Sequence, residues 1–567
     1  MKFENGYFHE GDGTRFLPFG IFGNYFRAEY TGDTLVLPSR HGSGAIEFQR
    51  CTREVWEHFF AFLQKEGVNT IRLFPRGDSG GSAWEGLDIG GRLNRSLFDL
   101  ILLYAQTARE YGIHTVLGLF TQPECSVYCR KDTRVYWGQR LFEDDMRREA
   151  TPSQRRFLDN ADDLVDYNDF FSDRDVRSCC HSYLDEILPL LSGNRDIIAL
   201  ELYNEMGWAS PNANPENTFR WELTSDFLDW SRDMAEHVKR LAPEIPVLIS
   251  NPGVGLLGHD PIQWAQAIKP DIYSFHNYPD ICGEPDGMDY AAISDMCLNY
   301  TAAACPVMFG EWEAVFRPKP EEIPLLTLCA RDFAWFSVLS GAPGCISWRA
   351  RGYGQYKAVT ALFRELEGRD LTRAPGKHVI NISEAQEYFA SLVDGGSEEC
   401  VIGFGKWCPD WQATDGKHRF CVKAQSGFHK KLTEIEQRAL ETGADLHFSL
   451  TEGKPLMDWQ SSDFTDEGLV SVPAGYHQKN LYAADGKTVV TYLRNTVPVP
   501  YPGEKDGRTY EKFCLRTQTE RKVVLELRDA DFSYRLIDLD TGETRMLRAG
   551  SNDLGTTSHD FVILSEK

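Results

Sequence analysis

The chain has 567 residues, more than one domain usually holds, so two or three domains are expected. Hydrophobic residues make up 42% and aromatics 12%, enough for a large packed core and too much for global disorder. The formal charge of −24, from 60 basic and 84 acidic residues, argues against a nucleic-acid or anionic-membrane partner, because both select a basic surface.

The N-terminal MKFENGYFHEGDG lacks the apolar core of a secretory signal. No apolar run reaches the roughly 20 residues of a membrane-spanning helix. A cytoplasmic location is therefore expected, with the 14 irregularly spaced cysteines as reduced thiols. Cys125 and Cys129 have the spacing of half a metal site, but no matching pair follows. Neither a metal nor an organic cofactor is expected.

From residue 16 to about 370, short apolar runs alternate with longer amphipathic ones, the pattern of repeated βα units. The first four predicted strands are FLPFGIFG (16–23), NTIRLFP (69–75), HTVLGLF (114–120) and IIALELYNE (197–205). Four more follow at PVLIS (246–250), DIYSFHNY (271–278), CPVMFGE (305–311) and GCISWRA (344–350). Eight such runs predict a closed parallel (β/α)8 barrel. Between the first two strands, Val55, Trp56, Phe59, Phe60 and Leu63 share one helical face, and Gly67 supplies the stop. Leu97, Leu100, Ile101, Tyr104 and Ala108 repeat the pattern before the third strand, ending at Gly112.

Two stretches break the rhythm. The segment 121–172, rich in Arg, Asp and aromatics, follows the third strand, where a barrel loop borders the active site. From residue 371 the pattern becomes mixed, with a predicted helix at LTEIEQRALETG (432–443) and a strand after it. The C-terminal stretch is strand-rich, with an Asp-Thr-Gly hairpin turn at 540–542. The expected organisation is a barrel with an N-terminal hairpin over 1–370, a mixed α/β accessory region over 371–495, and a small β domain over 496–567. The attachment of this last domain is read at the Pro-rich VPVPYPG (497–503) or just before it.

Catalytic residues of barrel enzymes sit at the C-terminal ends of strands. Those ends here carry Asn24, Arg72, Asn204 and Glu205, His276 and Tyr278, Glu311, and Trp348. Strands four and seven bring two carboxylates to opposite sides of the barrel mouth. Glycoside cleavage asks for such a pair, one acid to protonate the leaving oxygen and one carboxylate to attack the anomeric carbon.

LELYNEMGW resembles the strand-four Asn-Glu signature of the clan A glycoside hydrolases, the retaining (β/α)8 enzymes that include family five. MFGEWEA is similar to their strand-seven nucleophile motif, and FHNYPD to the His-x-Tyr of their sixth strand. Arg72 in NTIRLF and Trp348 in CISWRA fall where such enzymes keep Arg and Trp. The approach YNDFFSDRDVR…GNRDIIALELYNE also looks like that of the β-mannan hydrolases of family five. The third strand departs from the pattern, ending LGLFTQPE without the histidine common there.

The resemblance implies Glu205 as acid/base and Glu311 as nucleophile. Asn204 would hold the sugar 2-hydroxyl, Arg72 with Tyr278 or His276 would keep Glu311 ionised, and Trp348 would stack on the pyranose face. Each residue also has a plainer reading. Arg72 would serve as a buried ion-pair partner of Glu201, and His276, Tyr278 and Trp348 as packing. Glu313 and Glu201 are the competing carboxylates, and Gly310-Glu311 fits the strand end better than Glu313 does. The expected activity is exo cleavage of short β-glycosides, with β-mannoside first and β-glucoside or β-galactoside open. The alternatives are an endo-β-mannanase or glucanase, and a barrel that binds carbohydrate without cleaving it. A carbohydrate is the expected partner, and the sequence is compatible with a homo-oligomer.

Overall fold

The computed structural model describes residues 1–23, 25–26, 29–31, 34–36, 46–47, 51–73, 86–120, 126–129, 149–159, 163–166, 169–205, 224–252, 261–278, 305–315, 320–348, 354–373 and 468–567 apart from 472, 506 and 507, with short strands between 378 and 451. Eight parallel strands close a barrel: β1 (Phe19–Phe22), β2 (Thr70–Leu73), β3 (His114–Phe120), β4 (Ile197–Asn204), β5 (Val247–Pro252), β6 (Ile272–Asn277), β7 (Val307–Trp312) and β8 (Cys345–Ser347). All eight predicted strands are present, and each pairs with its sequence neighbour, with β8 returning to β1. The strands are buried along their length because one face lines the barrel and the other meets helices.

The helices follow from the apolar spacing. In α1 (Arg53–Glu66), Trp56, Phe59, Phe60 and Leu63 are buried. Gly67 ends it at φ 84°, a left-handed conformation in which its N–H bonds back to the last turn. Helix α2 (Arg95–Glu110) starts where the Asn94 side chain accepts from the Leu97 N–H, and Gly112 follows it at φ 75°. In α3 (Arg174–Leu191), Asp173 caps the N-terminus through two backbone N–H groups, and Cys179 and Cys180 are buried. Helices α4 (Thr224–Leu241), α5 (Pro261–Ile268), α6 (Ile323–Leu339) and α7 (Gln355–Glu365) continue around the barrel. At the strand starts, an antiparallel sheet of Lys2–Glu4, Tyr7–His9 and Arg15–Phe16 covers the floor. There Phe16 packs edge-on against His114 at 4.8 Å.

Beyond the barrel lies one six-stranded sheet. Its order is β9 (Leu371–Arg373), β10 (Tyr476–Ala483), β11 (Thr488–Asn495), β16 (Phe561–Glu566), β14 (Ser533–Asp538) and β15 (Thr544–Leu547). It therefore joins strands from both sides of residue 496. The Asp-Thr-Gly turn connects β14 to β15, with Gly542 at φ 76°. The VPVPYPG segment is itself extended. It forms β12 (Val497–Lys505), paired with β13 (Arg508–Thr517). Pro498 and Pro500 stand at alternate positions of this two-stranded sheet, so both missing N–H groups face away from the partner strand. The helix expected at 432–443 lies outside the described residues.

The sheet is fastened to the barrel through α6, the helix that follows β7. Asp332 accepts from Arg516 Nε and Nη2 at 2.6 Å each and from Tyr492 Oη at 2.5 Å. The adjacent Arg331 reaches Asp560 at 2.8 Å, and Asp560 also accepts from Arg516. Asp332, Arg516 and Asp560 are all fully buried. Burying such charges is tolerable only when each is paired and hydrogen-bonded, as here.

Candidate active site

The two strands that carry the candidate carboxylates share a local device. Along β4, the pairing with β5 slips between Glu201 and Asn204, so one extra residue is accommodated. A bulge of this kind reverses the alternation of side chains. Tyr203 consequently faces outward, packing on Phe227 and Trp230 of α4, while Glu201 and Asn204 both point into the barrel. Glu205 follows at φ 48°, a left-handed conformation uncommon for a side-chain-bearing residue, and its N–H bonds to the Ser250 carbonyl at 3.1 Å.

Along β7, pairing with β6 slips at Phe275/His276, leaving Gly310 as the extra residue. Phe309 and Trp312 both pack outward on Phe333 of α6, and Glu311 turns inward. A Cβ at position 310 would stand 2.0 Å from Ser274 Oγ and 3.2 Å from His276 Nε2, so a larger residue would displace the Ser274 side chain. The Gly-Glu junction thus has a steric cause.

Arg72, at the end of β2, is 1% exposed and organises the centre. Its Nε and Nη2 donate to the two oxygens of Glu201 at 2.5 and 2.6 Å. Nη2 also donates to Asn204 Oδ1 at 2.7 Å, and Nη1 donates to Glu311 Oε1 at 2.6 Å. Burial opposes the guanidinium charge, but Glu201 and Glu311 outweigh it and hold Arg72 above its ordinary value. The other oxygen of Glu311 accepts from Tyr278 Oη at 2.5 Å. Burial first, then the Glu311 charge, pushes the Tyr278 phenol well above its ordinary range, so it remains a donor.

Glu205 has a different environment. His276 Nδ1 lies 2.7 Å from Glu205 Oε1 and 3.6 Å from Glu311 Oε1. Glu205, His276 and Glu311 each present one atom to a common space, all within 4.8 Å of one another. Among the described residues this is the group close enough for a cation, but the Arg72 guanidinium already supplies positive charge to Glu311 there. Asn204 uses its carbonyl oxygen on Arg72, and among the described residues nothing bonds its buried Nδ2.

Trp348, one residue beyond β8, stacks on Phe22 from the end of β1 at 4.3 Å and 16°. Its ring meets Tyr278 edge-on at 6.5 Å. Glu313 is buried past the end of β7, with its N–H on the Asn277 carbonyl. The described part of the 121–172 insertion is tied to the loop after β2, where Tyr128 Oη donates to Asp88 at 2.7 Å.

Arg72, Asn204, Glu205, His276, Tyr278, Glu311 and Trp348 therefore converge at the strand ends. Asn24 lies outside the described residues. Arg72 pairs with Glu201 and reaches Glu311 as well. Phe22 beneath Trp348 was not signalled by the sequence, because an apolar residue in a strand reads as core.

No protein-family model matches the chain, and no curated protein sequence is significantly similar to it. Among solved structures, it is similar to an exo-β-1,4-mannosidase from Opitutaceae bacterium strain TAV5, at 13% identity and TM-score 0.46, covering 79% of this chain and 100% of that one. A β-galactosidase from Bacillus circulans sp. alkalophilus gives 10% identity and TM-score 0.46 over 91% and 97% of the two chains. An endo-1,4-β-mannanase from Eisenia fetida gives 14% identity and TM-score 0.37 over 65% and 95%. The barrel itself is defined by its own ladder of paired strands.

Proposed function

We propose that this chain is a retaining glycoside hydrolase acting on short β-linked oligosaccharides, with Glu311 as nucleophile and Glu205 as acid/base. The observation that carries the reading is a carboxylate, Glu311, held at both oxygens by Arg72 and Tyr278 beside a second carboxylate, Glu205. Glu311 accepts from Arg72 on one oxygen and from Tyr278 on the other, which favours an ionised group fixed for attack. Glu205 stands beside it on His276, 16% exposed at its side chain, where a proton can be delivered and retrieved. Oxygens of the pair lie within 4.8 Å, which supports the retaining spacing of about 5–5.5 Å between carboxyl groups rather than the wider inverting one.

In the first step Glu311 attacks the anomeric carbon while Glu205 protonates the departing oxygen, giving a glycosyl-enzyme. In the second, Glu205 takes a proton from water, which displaces Glu311. The Nδ2 of Asn204, which no described residue bonds, suits the sugar 2-hydroxyl, whose hydrogen bonds strengthen in the transition state. Trp348 on Phe22 offers a flat apolar surface to a pyranose face. The reading extends to exo action and to β-mannoside as first substrate, with β-glucoside and β-galactoside next. A panel of aryl β-glycosides tests it. Release of the aryl group with retained anomeric configuration is the expected result, and no turnover across the panel would sink the proposal. A series of oligosaccharide lengths then separates exo action, which releases monosaccharide from the start.

A further inference from the structure

We infer that Glu201 is a positioning residue of this site, setting Arg72 so that one guanidinium serves Glu311 and Asn204 together. The inference deepens the glycosidase reading and rests on it. Arg72 makes four hydrogen bonds to these three side chains, and two of them go to Glu201. Side-on pairing through Nε and Nη2 fixes both the plane and the rotation of the guanidinium. With that edge locked, the second hydrogen of Nη2 is aimed at Asn204 Oδ1, and Nη1 at Glu311 Oε1. Locking Asn204 by its oxygen in turn leaves its Nδ2 as the donor presented to the site.

Glu201 is buried, 1% exposed, and both of its oxygens are on Arg72. Arg72 stands between it and Glu311, and both carboxylates share that one cation. Its charge therefore has a second effect. The negative charge of Glu201 adds its own potential at Glu311 and offsets part of the positive potential of Arg72 there. Among the described residues, the titratable groups facing this ion cluster are Arg72, Glu201, Glu311, Glu205, His276, Tyr278 and Glu313. The strand bulge is what makes the arrangement possible, since regular alternation from Glu201 would turn Asn204 away.

Glu201→Gln and Glu201→Asp separate charge from geometry. Gln keeps the shape but not the charge, and one of its two terminal groups opposes an Arg72 donor. Asp keeps the charge but falls short of side-on pairing. Both variants should lower kcat/KM by roughly 10–100-fold, the usual cost of removing a group that orients a reacting side chain. The loss should appear in kcat with KM little changed, because Asn204 and Glu311 act in the transition state. In Glu201→Gln the acid-side limb of the kcat/KM profile should also move to lower pH, and in Glu201→Asp it should stay. Rates are referred to folded protein, measured by circular dichroism on the same samples. Folded variants with wild-type kcat/KM and an unmoved profile would reduce Glu201 to a structural ion-pair partner. Wild-type protein that turns over no glycoside would overturn the function and the positioning role with it.

Discussion

The hydroxyl of Tyr278 donates to Oε2 of Glu311 at 2.5 Å, on the oxygen that Arg72 does not touch. The carboxylate is thus held from both ends, by groups from β2 and from the segment after β6. Two hydrogen bonds, one to each oxygen, fix the orientation of the Glu311 carboxylate.

Tyr278→Phe removes that donor while keeping the ring against Trp348. A hydrogen bond to a charged group contributes about 1.5–3 kcal/mol, so kcat/KM should fall by roughly 10–150-fold. Steady-state kinetics on an aryl β-glycoside measures it. A change under twofold would show that Arg72 alone positions Glu311.

The two carboxylates should be told apart by azide. Glu205→Ala should still form the glycosyl-enzyme from substrates with activated leaving groups, but stall before hydrolysis for want of a base. Azide should then release a β-glycosyl azide. Glu311→Ala should instead let azide attack the substrate directly and give the α-azide. Proton NMR of the products decides, and the opposite pairing of variant and anomer would exchange the two roles.

His114, 2% exposed beneath the barrel, is depressed to about 3 by burial first, then by the charges of Arg109 and the N-terminal amine. An unfolded chain takes up a proton at this residue near its ordinary value of 6.5, whereas the folded chain does not. Its contribution to stability is therefore complete above pH 6.5 and is lost as pH falls toward 3. His114→Phe, which keeps a ring beside Phe16, should flatten the acid side of the Tm–pH curve within that window. A wild-type and variant pair with parallel curves would contradict the assignment.

Asp332→Ala would leave Arg516 and Arg494 buried without their shared carboxylate. Breaking a buried pair costs about 3–5 kcal/mol. Thermal unfolding should shift down by several degrees, and hydrogen exchange in β13 and α6 should accelerate first. Because α6 carries Phe333 against Trp312, the residue after Glu311, activity should fall in parallel with the loosening of this helix. Unchanged exchange in both elements would show that the interface is held by its apolar contacts.

The sequence by itself determined the barrel and most of the strand ends. Parallel strands buried on both faces must read as continuous apolar runs, and the helices between them must show a 3.6-residue stripe, so the periodicity is written in the residues. Gly67 and Gly112 marked helix ends for the same local reason. The tertiary structure decided what depends on register and on distant partners. Alternation alone would not have placed Asn204 inward beside Glu201, because a one-residue bulge is invisible until β4 pairs with β5. VPVPYPG reads as a point of attachment because proline discourages strands, yet an edge strand tolerates prolines on its unpaired side, and which side is unpaired is known only once β13 is in place. Nor could the sequence choose between Glu201 and Glu311 as the partner of Arg72. One buried guanidinium has enough donors for both, and only the closed barrel brings three strands within reach of it.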